Sequence, residues 1–213
     1  MTNSIERHYQ QLVKEFGDTA KAAQYSSRES QFRRFAALAR IADLKGKRIL
    51  DFGCGTASLF EYLDSVGQAP AFYCGVDIVR DFFPHARIKV PKGHFCHPDE
   101  LGEMRFDYAF VSGVFNNRRR GNRKFWRESV KSLYSRCDVG VAFNMMSTYV
   151  DYRDPKLFYE HPMSAFDFVK RNVTPYVTLY NDYLPKEGSV PFEFVIFAYR
   201  KPAELSGVAC ALQ

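Results

Sequence analysis

The chain has 213 residues, 46% of them hydrophobic and 25% charged, with 30 basic against 24 acidic side chains and a formal charge of +6. Those fractions supply enough apolar surface to offset chain entropy, which excludes a disordered, collagen-like or mucin-like polymer, and no apolar run reaches the ~18 residues of a membrane span. The length predicts a single domain over residues 1–213, and the polar start MTNSIERHYQQ, without an apolar signal core, predicts a cytoplasmic protein.

Five cysteines, Cys54, Cys74, Cys96, Cys137 and Cys210, are odd in number and include no C-x-x-C pair. Reduced, mostly buried thiols are expected, not a disulfide framework. Over residues 4–44, Ile5, Tyr9, Leu12, Val13 and Phe16, then Phe32, Phe35, Leu38, Ala39 and Ile41, recur at helical spacing. Two helices joined by a polar turn near Tyr25, Ser26 and Ser27 follow from that pattern. Residues 48–52 form a short apolar strand that ends in glycines, and a helix opens at Ala57. Further strands are predicted at 71–77, within 88–95, at 106–111 and at 139–144, with a helix over 122–136. After a helix over 163–171, residues 176–180 and 192–199 read as an antiparallel hairpin around the turn-rich 184–189. The small, polar stretch 202–213 is expected to be a flexible tail. Alternating strands and helices predict an α/β fold with a parallel sheet covered by helices.

The chemistry is concentrated at Asp51-Phe52-Gly53-Cys54-Gly55-Thr56-Ala57, at the carboxyl end of the first strand, where open α/β sheets place their ligand crevice. Glycines there let the backbone pass close under a ligand, and the following helix offers free N–H groups. Asp77 ends the second strand about 20 residues further on, the offset at which a carboxylate meets ribose hydroxyls. A dinucleotide site wants G-x-G-x-x-G; two glycines preceded by Asp51 suit a ligand carrying an ammonium group instead of a pyrophosphate.

These residues resemble the class I S-adenosylmethionine-dependent methyltransferases. The stretch from Asp51 to Ala57 is similar to their D-x-G-x-G-x-G motif with Ala57 in place of the last glycine, and Gly75-Val76-Asp77-Ile78 to their second motif. Residues 106–115 resemble the fourth-strand motif beside the reactive methyl. A narrower similarity is to small bacterial methyltransferases of unassigned acceptor, through Gln31, Arg34 and Phe35, the stretch 142–151, and Asp182-Tyr183-Leu184-Pro185. The resemblance implies a doubly wound seven-stranded, mostly parallel sheet of order 3-2-1-4-5-7-6 with the last strand antiparallel. Residues 1–44 would be a helical cover and 45–201 the core. S-adenosyl-L-methionine is the implied cofactor, with Asp51 at its ammonium, Gly53, Cys54 and Gly55 under the methionyl part, Asp77 at the ribose, Ile78 on adenine and Ser112 by the methyl. Gln31 and Arg34 would fold over it, Arg34 meeting its carboxylate.

The expected reaction is in-line methyl transfer to an oxygen or nitrogen of a small, anionic or sugar-containing metabolite. Its pocket is expected from Asn116, Asn144, Tyr149, Asp151, Tyr152, Tyr159, His161 and Asp182, with His161, Asp182 and Tyr149 as catalytic candidates and His161 as general base beside Glu160. Tyr149, Tyr152 and Tyr159 should face the acceptor. The basic run Arg118, Arg119, Arg120, Arg123 and Lys124 could meet an anionic acceptor, or dock an RNA or protein in the alternative reading. A non-catalytic cofactor-binding sensor or scaffold is the reading of another class. No metal is expected: alternation points His94 and Cys96 one way and His97 the other, and no fourth ligand has suitable spacing.

Overall fold

A computed structural model describes residues 4–203 of the chain. The cover comprises α1 (Ser4–Phe16), a 3-10 turn over Ala20–Ala23, and α2 (Arg28–Ala39), whose N-cap Ser27 accepts from the Ser30 amide. The core then runs β1 (Arg48–Phe52), α3 (Ser58–Ser65), β2 (Phe72–Val76), α4 (Phe83–Lys89), β3 (His94–Cys96), β4 (Phe106–Val111), α5 (Asn122–Ser135) and β5 (Cys137–Ser147). It closes with β6 (Tyr159–Glu160), α6 (Pro162–Asn172), β7 (Val177–Tyr180) and β8 (Glu193–Tyr199).

The sheet order is β3-β2-β1-β4-β5-β8-β7, with the two-residue β6 pairing beside β5. Every pair from β3 to β5 is parallel, and β8 runs antiparallel to both β5 and β7. This is the expected topology with one short strand added. The central strands are apolar on both faces because helices cover both. Leu50, Val76, Phe106, Val111, Trp126 and Val130 pack on the side of α5 and α6, and Leu38, Ile49, Leu59, Tyr73, Phe110 and Phe197 on the side of α2, α3 and α4. Each such side chain contributes roughly 1.5–3 kcal/mol of burial.

A third cluster joins the cover to the core. Val13 and Ala22 pack with Val79 and Phe82, flanked by Tyr9, Phe16 and Ile78. The segment just after β2 is thereby roofed by α1.

Two expectations are corrected. Residues 83–89 form a helix, so the third strand starts only at His94, and Ile88 is an exposed helical residue. The apolar spacing there is short enough to read either way. The helix after the first strand begins at Ser58; Ala57 is its N-cap, at φ +60°. No helix among the described residues is long and apolar enough to cross a membrane. Of the expected flexible tail, residues 204–213 lie outside the described residues.

Candidate functional site

The turn after β1 owes its shape to its glycines. Gly53 and Gly55 both have positive φ, +82° and +49°, a region open to glycine at no steric cost. A Cβ on Gly53 would also overlap Val114 Cγ2, well inside van der Waals contact distance, whereas one on Gly55 would meet nothing within 4 Å. The amides of Gly53 and Cys54 donate to the Val76 carbonyl at 2.7 and 3.1 Å. The turn is thus tied to the end of β2.

Asp77 ties it a second time. Its Oδ2 accepts from the Gly55 amide and its Oδ1 from the Val79 amide, each at 2.9 Å. Burial pushes this carboxyl up to about 6 against the backbone N–H groups, which favour the charged form. Asp51 is 4% exposed and takes a short hydrogen bond from the Tyr73 hydroxyl. Burial raises its carboxyl to about 7; the Tyr73 bond opposes the shift and the nearby Asp77 charge adds to it. A buried acid without a cation beside it among these contacts is matched to a ligand that brings a positive charge.

The opposite wall follows β4. Gly113, at φ +75°, donates its amide to Asn144 Oδ1 at 2.9 Å, and Ser112 Oγ is 3.0 Å from the Tyr25 hydroxyl. A Cβ on Gly113 would lie 2.7 Å from that same hydroxyl, so the cover sits directly on this loop. Asn116 Oδ1 is buried without a hydrogen-bond partner among the described residues. Asn117 Nδ2 donates to Tyr9 Oη and Gln24 Oε1 at 2.8 and 3.0 Å, a second clasp on the cover.

Together these walls enclose a cavity of about 610 Å³, within the range of small-molecule and cofactor sites. Asp51, Gly53, Cys54, Gly55, Asp77, Ile78, Ser112, Gln31 and Arg34 all line it. Cys54 is an inert thiol here, since burial holds it well above its ordinary value.

The structure assigns Arg34 a different partner from the expected one. Its guanidinium grips Glu193 through Nε and Nη2, at 2.9 and 2.7 Å to Oε1, and stacks 5.1 Å from the Tyr25 ring centroid. Glu193 also accepts from Asn144 Nδ2 at 2.9 Å and Tyr183 Oη at 3.0 Å. A buried acid took the cation because each would otherwise be unpaired away from water. Glu193, Asn144, Tyr25 and Asn117 were not anticipated in these roles; the available signal was a charge, Arg34, on the apolar stripe shared by Phe35 and Leu38.

Of the residues expected to form the acceptor pocket, Asn116 lines the cavity and the others lie elsewhere. None of His161, Asp182, Tyr149, Asp151, Tyr152 and Tyr159 lines the cavity. β5 continues to Ser147, past the end of β4, and the segment beyond it returns to the cavity wall only at Leu157, which bridges to Asn117. Tyr149 and Tyr152 are exposed; Tyr149 Oη meets His161 Nε2 at 3.2 Å beside a separate, shallow surface depression. Glu160 does not orient His161 through its ring: it accepts from the His161 amide, Arg123 and the Trp126 indole. Tyr159 Oη accepts from the Asp154 amide. Asp182 is paired with Arg40 on the surface, which lowers its carboxyl. Phe115 is core, packed on Phe125 and Phe143. Of the basic run, Arg119 reaches the cavity and stacks 4.1 Å from the Phe125 centroid, while Arg123 is spent on Glu160.

No family model matches the chain. It is 30% identical over 146 residues to "Putative methyltransferase Rv1506c" of Mycobacterium tuberculosis, covering 63% of this chain and 86% of that protein. Among solved structures, it is similar to magnesium protoporphyrin IX methyltransferase from Synechocystis PCC 6803 with bound SAH, at TM-score 0.63 and 15% identity over 93% of this chain and 96% of that one. A DhpI–SAH complex gives 0.59 and 15% over the same shares. A methyltransferase from Mesorhizobium loti gives 0.59 and 13% over 79% of this chain and 98% of that one. At these identities the structural likeness is one of fold.

Proposed function

The chain belongs to the class I S-adenosylmethionine-dependent methyltransferases, and from that premise we propose that it methylates an oxygen or nitrogen of a small, anionic acceptor within the 610 Å³ cavity. The convergence of Asp51, Gly53, Gly55, Asp77 and Ser112 on that one cavity is the observation that carries the reading.

The residues present fit the cofactor. Asp51 is a buried acid that a ligand ammonium would neutralise, Asp77 retains lone pairs for ribose hydroxyls, and Gly55 leaves open space above the turn. Ile78 offers an apolar contact for adenine. S-adenosylmethionine, when bound, supplies an electrophilic methyl whose displacement leaves a neutral thioether. The protein's part is then alignment and exclusion of water. Tyr25, Asn117 and the α1 roof close the cavity. Asn116 Oδ1, orphaned in the wall, would accept a hydrogen bond from the acceptor's N–H or O–H and orient its lone pair. Arg119 at the same wall would pair with a carboxylate or phosphate of the acceptor.

Calorimetry with S-adenosylmethionine tests the donor half: saturable binding by the wild type, weakened in Asp77→Ala, is expected, and no binding by either removes the proposal. Arg118→Ala/Arg119→Ala/Arg120→Ala tests the rival docking of RNA. Salt-dependent RNA binding that this variant loses would favour that rival over a small acceptor.

A further inference from the structure

The paired strands β2 and β3 carry a group of side chains apart from the cavity. Their parallel register sets Cys74 opposite His94 and Val76 opposite Cys96. His94 and Cys96 are two residues apart on one strand and share a face, and the register brings Cys74 to the same face. Tyr73 and Phe95, on the other face, pack with the α2–α4 side, whereas Cys74 and Cys96 pack with the α5–α6 side. None of the three lines the cavity.

The two Sγ atoms and a ring nitrogen of His94 lie within 4.8 Å of one another. Tetrahedral zinc, with metal–sulfur bonds of about 2.3 Å and metal–nitrogen bonds of about 2.0 Å, separates its ligand atoms by roughly 3.5–3.8 Å. Small side-chain rotations therefore bring the trio onto one ion. We propose that Cys74, His94 and Cys96 form a Cys2His site for a thiophilic divalent cation of the zinc class, with the fourth position open to water.

Three features support that chemistry. Two thiolates and an imidazole select zinc over magnesium or calcium, which prefer oxygen. Cys74 and Cys96 are 0% and 5% exposed, and two thiolates cancel the charge of a divalent ion, so the loaded site is neutral where the chain is buried. His94 is exposed and gives the ion a path from solvent. Each thiol releases its proton to solvent as its metal–sulfur bond forms. β3 is a three-residue edge strand paired to β2 alone. The ion would clip it there, and His97, Pro98 and Asp99, which follow it, line the cavity wall.

The test is cobalt titration of the full chain after reduction and chelation, followed by zinc competition. One cobalt per chain with sulfur-to-cobalt charge-transfer absorption, displaced by zinc, is expected. Cys96→Ser should abolish the band. His94→Ala, a surface change that leaves the circular dichroism native, should weaken binding by more than about 100-fold, since loss even of an outer-shell partner costs 10–100-fold. The proposal is overturned if the native wild type shows no such band, or if the band survives both variants unchanged. It is equally overturned if the reduced chain binds no metal and oxidation yields a Cys74–Cys96 disulfide peptide.

Discussion

Arg34 and Glu193, 159 residues apart, meet in a buried ion pair that joins α2 of the cover to the head of β8. Through Asn144 the same carboxylate reaches the Gly113 amide at the cavity wall. Arg34→Ala should cost about 3–5 kcal/mol, because it strands a buried charge. Arg34→Met combined with Glu193→Gln should cost clearly less than the sum of the two single changes. Urea denaturation of the three variants measures the difference, and additive losses would show that the pair is not coupled.

The two turn glycines should respond unequally. Gly55→Ala pays only for its left-handed backbone, roughly 1–2 kcal/mol. Gly53→Ala pays that and a collision with Val114, so its melting temperature and cofactor affinity should both fall further. Adding Val114→Ala removes the colliding methyl and should recover part of the loss.

Asp51 has its carboxyl raised to about 7, above the ordinary value of 3.8, so the folded chain holds a proton that the unfolded chain has released. Stability from this group is fully present below the unfolded value and is lost as pH rises through about 7, by on the order of a few kcal/mol. Asp51→Asn should make that slope shallower in denaturation series between pH 4 and 8, the remainder coming from Asp77, whose carboxyl is raised to about 6. An ammonium-bearing ligand prefers the charged form, so its affinity for the wild type should rise over the same interval, and rise less in Asp51→Asn.

Placement outside the cavity yields a negative expectation. His161→Ala and Asp182→Ala should leave cofactor affinity within about threefold of wild type, as surface changes do. Arg119→Ala should leave the cofactor affinity similarly intact and raise the KM of an anionic acceptor, measured by mass-spectrometric detection of methylated product.

The residues that line the cavity after β1 and β2 were legible because they are local in sequence. The strand-end turn from Asp51 to Gly55 and the acid at Asp77 follow from spacing alone, and the strand order followed from the resemblance these motifs carry. The remainder depends on which distant faces meet. Nothing near Arg34 in sequence names Glu193 as its partner, and strand alternation showed His94 and Cys96 on one side without revealing that Cys74 of the neighbouring strand joins them. Of the residues expected to form the acceptor pocket, Asn116 lines the cavity and the others do not, and no local pattern fixed the end of β5 at Ser147.

The two amide bonds held by Asp77 carry a kinetic signature. The Gly55 and Val79 N–H groups are occupied by the chain itself, so the ligand cradle is completed when β2 docks on β1. Both amides should therefore exchange with deuterium slowly in the ligand-free protein, opening only with the sheet edge that bears them. The entropy of ordering this turn is then spent during folding, and a ligand arriving later meets a surface already set to receive it.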